Sequence, residues 1–231
     1  MTPMDSGRVA LLRQLLDGTE WVERTRGFAR GIRRSTKEPG GLLVVGTPTE
    51  EPWHFAAHLD DESRLSGVPE ISPTLVRWRP PPGAPAHLAV GMERLEHARR
   101  GESLIVVAPD DPTEQLLERV SDAKRTGATV FALDGDDDTE LTSLAHDALV
   151  VPRSGLDVPD QTLWTPAPTT PVANGDDVFD LGDPAVSFDA VEHLVSLAAG
   201  ETDVTGGGRR SLRDRLARLI DTVSGPDTRE R

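Results

Sequence analysis

Apolar positions along the chain follow two patterns. Some recur every three or four residues, as on one face of a helix. Others run together for four to six residues, as in a strand covered on both faces of a parallel sheet. Residues 7–34 show the first pattern. Val9, Leu12, Leu15, Leu16, Val22, Phe28 and Ile32 predict one long helix or two joined ones. Pro39-Gly40-Gly41 ends that pattern, and Leu42-Leu43-Val44-Val45-Gly46 follows as a strand. The loop 47–52 leads into a helix over Trp53-His54-Phe55-Ala56-Ala57-His58-Leu59, because proline is favoured in a first helical turn. Residues 74–78 read as a second strand, 80–83 as a loop, and 86–99 as a helix with Leu88, Met92 and Leu95 on one side.

The pattern is clearest from residue 103. Ser103-Leu104-Ile105-Val106-Val107-Ala108 reads as a buried strand, and Pro109-Asp110-Asp111-Pro112 as a turn. Residues 113–126 read as a helix, with Leu116, Leu117, Val120 and Ala123 on one face and Gly127 at its end. Thr129-Val130-Phe131-Ala132-Leu133 is the next strand. Strand, helix and strand in that order form a right-handed parallel crossover. A short helix near 139–146 and a strand at 148–151 complete the series. The alternation predicts an α/β protein: a three-layer, doubly wound parallel sheet of about five strands flanked by helices. Residues 152–184 are irregular and rich in Pro, Thr and Asp. Residues 185–199 return to helix, with Phe188, Val191, Leu194, Val195 and Ala198 in register. The expected division is a helical segment, 1–38, packed on an α/β domain, 39–200. A glycine-rich hinge, 201–208, and a basic amphipathic tail helix, 209–231, follow, so helical extensions stand at both ends.

Composition narrows the function. The chain has 231 residues and no cysteine, which removes disulfides, thiolate metal sites and cysteine nucleophiles. No apolar run approaches the roughly 20 residues that span a bilayer. The first residues lack a basic-then-apolar leader pattern, so a cytoplasmic location is expected. The net charge of −14 is uneven: residues 39–204 carry ten basic and thirty acidic groups, while both ends are net basic. Nucleic acid is therefore not expected as a partner, since its binding needs basic groups to replace counterions. The arginine-rich tail fits docking on the chain's own acidic body, or across a dimer, better than membrane attachment.

Several residues bear chemistry. His54 and His58 stand at i and i+4 on one helical face, as metal-binding pairs do, with Asp61 or His193 as a conceivable third ligand. The expectation nevertheless is no metal and no cofactor. Trp53 would be a stacking platform for a sugar ring or the cover of an interface. Glu50-Glu51 and Asp110-Asp111 would cap helices or line a pocket for a neutral or cationic ligand. Asp134-Gly135-Asp136-Asp137-Asp138 lacks the spacing of a calcium loop and reads as a solvated turn.

Four segments resemble the SIS (sugar isomerase) family, and within it the phosphoheptose-isomerase-like branch. They are Gly40-Gly41-Leu42-Leu43-Val44-Val45-Gly46; His54-Phe55-Ala56-Ala57-His58-Leu59; the crossover from Gly101-Glu102-Ser103 to Gly127-Ala128-Thr129-Val130; and Leu144-Ala145-His146-Asp147-Ala148-Leu149-Val150-Val151-Pro152. The resemblance covers about 1–200. It implies a ligand held by two loops at helix starts, where free backbone N–H groups cradle an anion. Here both loops depart from the family's pattern. Gly46-Thr47-Pro48-Thr49-Glu50-Glu51-Pro52 and Ala108-Pro109-Asp110-Asp111-Pro112-Thr113 have lost glycines and gained prolines and carboxylates.

The branch's isomerases also use a Glu, at whose position His58 stands, and a late His, matched by His193. A Gln before it is replaced near Ala185. The resemblance thus implies a carbohydrate-derivative-binding or regulatory protein, non-catalytic and a homodimer or larger homo-oligomer. Its ligand, a sugar or sugar derivative, would meet Thr47, Thr49, Trp53, His54, His58, Asp110, Asp111 and Thr113. Two alternatives stand beside it: a sugar-phosphate isomerase using His193 and Asp61 as acid–base pair, and an interaction module without a small ligand.

Overall fold

The computed structural model describes residues 20–151 and 188–201. The expectations for the start of the first helix, for Ala185, for the hinge and for the tail helix lie outside the described residues. Five parallel strands lie in the order β2-β1-β3-β4-β5: β1 Leu42–Gly46, β2 Pro73–Val76, β3 Ser103–Ala108, β4 Thr129–Asp134 and β5 Asp147–Val150. The helices are α1 Glu20–Ser35, α2 Trp53–Ser66, α3 Glu93–Glu96, α4 Glu114–Arg125, α5 Glu140–Leu144 and α6 Phe188–Ala199. This is the expected α/β sheet flanked by helices.

The central strands β1, β3 and β4 are buried and mostly apolar because both faces of the sheet are covered there. Successive side chains point to opposite faces. Leu42 and Val44 join Ile105, Val107, Phe131 and Leu133 in a cluster with Phe28 and Ile32 of α1, Phe55 and Leu59 of α2, and Val191, Leu194 and Val195 of α6. Leu43 and Val45 join Leu104, Val106, Val130 and Ala132 in a second cluster with Leu95 of α3, Leu116 and Val120 of α4, and Leu141 of α5. On the first face, Phe28 meets Phe131 edge to face at 5.4 Å and 78°. Gly31 lets α1 sit down on that ring, since a Cβ there would lie 2.9 Å from Phe131 Cε1.

Arg33 fastens α1 to α6. Its guanidinium donates to the Ala198 and Ala199 carbonyls, each at 3.0 Å, and to that of Glu201. These are carbonyls at a helix C-terminus, where a cation also meets the negative end of the helix dipole.

Two expectations need correction. The helix foreseen over 86–99 is a 3₁₀ turn, Ala86–Leu88, followed by the single helical turn α3. Between them Gly91 bridges Arg77, and Arg77 N–H donates to the Val90 carbonyl at 2.9 Å, so extended pairing beside β2 displaces helical periodicity. Leu88 is accordingly exposed while Leu95 is buried. The strand expected at 74–78 is β2, one residue earlier at its start and two shorter at its end. The helix after Pro52 continues to Ser66, where Gly67 in the left-handed conformation closes it and donates to the Ser63 carbonyl.

Phe131 is the ring on which α1 rests. Phe131→Ala should lower the free energy of unfolding by about 3–5 kcal/mol, read as a fall in the urea midpoint with little change in slope.

Candidate functional site

The carboxyl ends of β1 and β3 lie side by side, Gly46 opposite Val107, so the loops that follow them are neighbours. The first loop is folded back on its own strand. A Cβ on Gly46 would sit 1.9 Å from the Glu50 carbonyl oxygen and 2.6 Å from Pro52 Cδ, so only glycine allows the crossing. Thr47, almost fully buried, accepts the Glu50 N–H through its hydroxyl (3.2 Å) and shares a hydrogen bond with the Thr49 hydroxyl (3.1 Å). At the start of α2 the N–H of Trp53 is taken by the Glu51 carbonyl at 2.8 Å, and Pro52 has no N–H to offer.

Glu51 is not a helix cap. Its carboxylate receives both Nε and Nη2 of Arg77, the latter at 2.7 Å, in a two-point ion pair. That pairing holds the Arg77 guanidinium above its usual range. The next residue, Trp78, donates its indole N–H to the Gly46 carbonyl at 2.8 Å. Sequence reasoning missed Arg77 and Trp78. Their one signal is position, directly after an edge strand at the sheet's carboxyl end.

The second loop is also self-satisfied at its helix. The Thr113 hydroxyl caps α4 by accepting the Leu116 N–H at 3.4 Å. Asp110 and Asp111 are exposed beside it. After β4, Asp134 departs from the solvated turn expected for 134–138. It is buried, accepts the Asp136 N–H at 3.2 Å and the Thr139 hydroxyl at 2.6 Å, and burial pushes its pKa up.

The structure brings three of the candidate residues into one cluster. Phe55 and Leu59 of α2 pack with Val191, Leu194 and Val195 of α6, and this apolar contact sets the helices together. His54 and His58 on α2 then meet His193 on α6. The ring centroids are 4.5 Å apart for His54–His58, 5.2 Å for His54–His193 and 4.0 Å for His58–His193. His54 Nε2 and His58 Nε2 share a hydrogen bond of 3.0 Å, so at least one of them is a neutral acceptor. Trp53 leans on His54 at 5.4 Å and is 55% exposed. Asp61 lies a turn beyond His58; its ion pair is to Arg64 at 3.6 Å, and among the described residues no hydrogen bond joins it to His193.

Burial is the largest influence on the two inner rings. It pushes His58 down to about 4, with the neighbouring His193 and His54 adding to the fall and Asp61 opposing it. Burial and then His54 push His193 down to about 4. Both are therefore neutral at pH 7, with lone pairs available as hydrogen-bond acceptors or metal ligands. One ligand nitrogen from each of the three residues lies within 4.8 Å of the others. A tetrahedral ion with bonds of about 2.0–2.1 Å needs its nitrogens roughly 3.3 Å apart, so the rings would have to close in from their present spacing to hold a zinc-like ion.

No family model and no curated protein sequence matches the chain. Solved structures do. A protein of Salmonella typhimurium LT2 assigned as sugar-binding shares 13% identity over 93% of this chain and 53% of its own, with a TM-score of 0.50. Two proteins assigned as phosphosugar isomerases give TM-scores of 0.49 and 0.48. The first, from Salmonella typhimurium LT2, is 13% identical over 90% of this chain and 51% of its own. The second, from Silicibacter pomeroyi DSS-3, is 14% identical over 95% and 54%. What is shared is the fold. It is an α/β sheet flanked by helices, as expected from the alternation of strands and helices, and the chain spans about half the length of these three proteins. Among the described residues no helix is long and apolar enough to cross a membrane.

Two predictions follow from the geometry. Arg77→Met should strand the half-buried Glu51 carboxylate and lower stability by about 1–3 kcal/mol, while the double variant with Glu51→Gln should recover part of that loss in the same denaturation assay. The histidines give a pH dependence. The folded pKa values of His58 and His193 lie below the unfolded value of about 6.5, so the unfolded chain binds protons first as pH falls. Stability should be level above pH 6.5 and drop by about 1–3 kcal/mol between pH 6.5 and 4. The drop should shrink in His58→Gln, measured by urea unfolding across that range.

Proposed function

We propose that this protein is an SIS-type carbohydrate-derivative-binding protein of the phosphoheptose-isomerase-like branch, and that it holds an uncharged ligand without turning it over. The ligand lies at the carboxyl ends of β1 and β3, against Trp53 and the imidazoles of His54, His58 and His193. The observation that carries this reading is the closed first loop. Its strand-end glycine is covered by the Glu50 carbonyl, its helix start is occupied by the Glu51 carbonyl, and its carboxylate is tied to Arg77. An arriving phosphate would find those donors taken and carboxylates alongside. The fold shared with a protein assigned as sugar-binding, and the sequence resemblance, supply the ligand class.

In the same proposal the three imidazoles hold a divalent transition-metal ion. Their donor type, and the neutral state of His58 and His193, suit zinc, and the ion would offer a positive centre to hydroxyl or carbonyl oxygens of the ligand. Trp53 gives the ligand's apolar ring face a surface to lie on. A non-catalytic role fits the pairing of Asp61 with Arg64, which leaves His193 without a directly bonded acid partner among the described residues.

Calorimetric titration with Zn²⁺ should show one site per chain, lost in His193→Ala. Thermal shift should then rank unphosphorylated sugars and amino sugars above their phosphates, with Trp53→Ala weakening binding about 2–10-fold. A sugar phosphate that binds more tightly than its parent sugar, and loses that advantage in Thr113→Glu, would overturn the reading. So would ketose–aldose turnover abolished by His193→Ala.

A further inference from the structure

The opposite end of the sheet carries a cavity of about 540 Å³, remote in the fold from the histidine cluster. It opens where the chain leaves α1, where it enters β3, and where it enters β4. Its walls include Lys37, Glu38, Arg99, Arg100, Glu102 and Thr129. The three segments are zipped together by backbone bonds: Lys37 N–H to the Gly101 carbonyl at 2.9 Å, and Thr129 N–H to that of Glu102 at 3.0 Å. Gly101 and Gly127 both have positive φ, +90° and +102°, and Arg100 lies against Gly127, whose Cβ would come 3.6 Å from the Arg100 nitrogen.

The charges in this cavity do not cancel. Glu102, almost buried, is held at two points by Arg94, at 2.6 and 3.3 Å, and also accepts the Arg99 N–H at 3.0 Å. Its charge is answered chiefly by Arg94, with Arg99 farther off. Arg99 lies 3.5 Å from Glu38 and 3.7 Å from Glu102, loosely between them. Lys37 donates to the uncharged Arg34 carbonyl at 2.6 Å, so its charge meets a helix end but no carboxylate. Arg100 makes no hydrogen bond or ion pair among the described residues. Three cations, Lys37, Arg99 and Arg100, line the cavity with two carboxylates, Glu38 and Glu102, and Glu102 is already held by Arg94, so the lining keeps a cationic excess. The chain's net charge of −14 does not cancel this locally, because charges beyond about 8 Å are largely screened at physiological ionic strength.

We propose that this cavity binds a small soluble phosphorylated molecule, its phosphate lying between Arg100, Lys37 and Arg99. Two features select phosphate. Guanidinium forks match its oxygens at two points, and Arg100 is uncommitted. The cavity volume suits a ligand up to the size of a mononucleotide. The site is separate from the carbohydrate site and stands or falls without it.

The test is a calorimetric titration of the full chain with inorganic pyrophosphate and with adenosine monophosphate at 0.15 M salt. Saturable binding of at least one of them, with Kd below about 1 mM, is expected. Arg100→Ala, which removes no hydrogen bond or ion pair among the described residues, should weaken it at least tenfold, and Lys37→Ala should also weaken it. His54→Ala should leave it unchanged. Three results would overturn the proposal: no saturable binding of either probe, binding indifferent to Arg100→Ala, or binding lost in His54→Ala, which would place the anion at the other end of the sheet.

Discussion

The apolar seam between α2 and α6 decides most of what this molecule offers to a ligand. Phe55 and Leu59 on one helix, and Val191, Leu194 and Val195 on the other, lie over the same face of β1 and β3. Burying such side chains is favourable by about 1.5–3 kcal/mol each, far more than any contact among the imidazoles contributes. The seam therefore fixes the two helices, and the rings of His54, His58 and His193 are carried into contact at its rim. The neighbouring rings add to the cost of charging His58, and His54 to that of charging His193. These two rings are neutral because the core places them there, and their chemistry as donors follows from that neutrality.

The closed loop after β1 depends on the same sheet. Val45 and Val76 are paired in register, so the residues that follow them, Gly46 and Arg77-Trp78, leave the sheet side by side. Trp78 reaches the Gly46 carbonyl and Arg77 reaches Glu51. An exposed ion pair of this kind would be worth little. This one is half buried and joined at two points, and it is backed by a glycine that admits the loop onto the strand end.

How much of this could be read from sequence depended on the range of the interactions. The five strands were legible because a doubly covered strand must be apolar along its length, as β1, β3 and β4 are. The i, i+4 spacing of His54 and His58 was legible because it is local. The third imidazole was only a conceivable partner, since 134 positions separate His58 from His193 along the chain and tertiary packing alone unites them. Residues 86–99 misled for the converse reason. Their periodicity suits a helix, yet the hydrogen bond between Arg77 and Val90 lies outside any local pattern. Glu51 was legible as an acid near a helix start, but its partner Arg77 stands on the far side of α2 in sequence. Asp134 read as solvated because its neighbours are, while the Thr139 hydroxyl that satisfies it allows burial.

The charge layout of the whole fold has one physical origin. In a parallel sheet with helical crossovers, helix starts gather at the carboxyl edge and helix ends at the amino edge. Dipoles favour acids at the first and bases at the second, each by about 0.3–1 kcal/mol. This chain follows that rule closely. Glu50, Glu51, Asp110, Asp111, Glu114 and Glu140 stand before or within the first turns of α2, α4 and α5, while Arg33, Arg34, Lys124 and Arg125 stand in the last turns of α1 and α4. Helix starts capped by the Thr113 and Thr139 hydroxyls, with carboxylates beside them, have less to give an incoming anion. The amino edge differs, because Arg99 and Arg100 lie on the turn before β3 rather than in a last helical turn. Helix dipoles account for Lys37 but give no reason for a second and third cation there. An excess beyond what the helices require is the mark that separates a binding surface from ordinary end-capping.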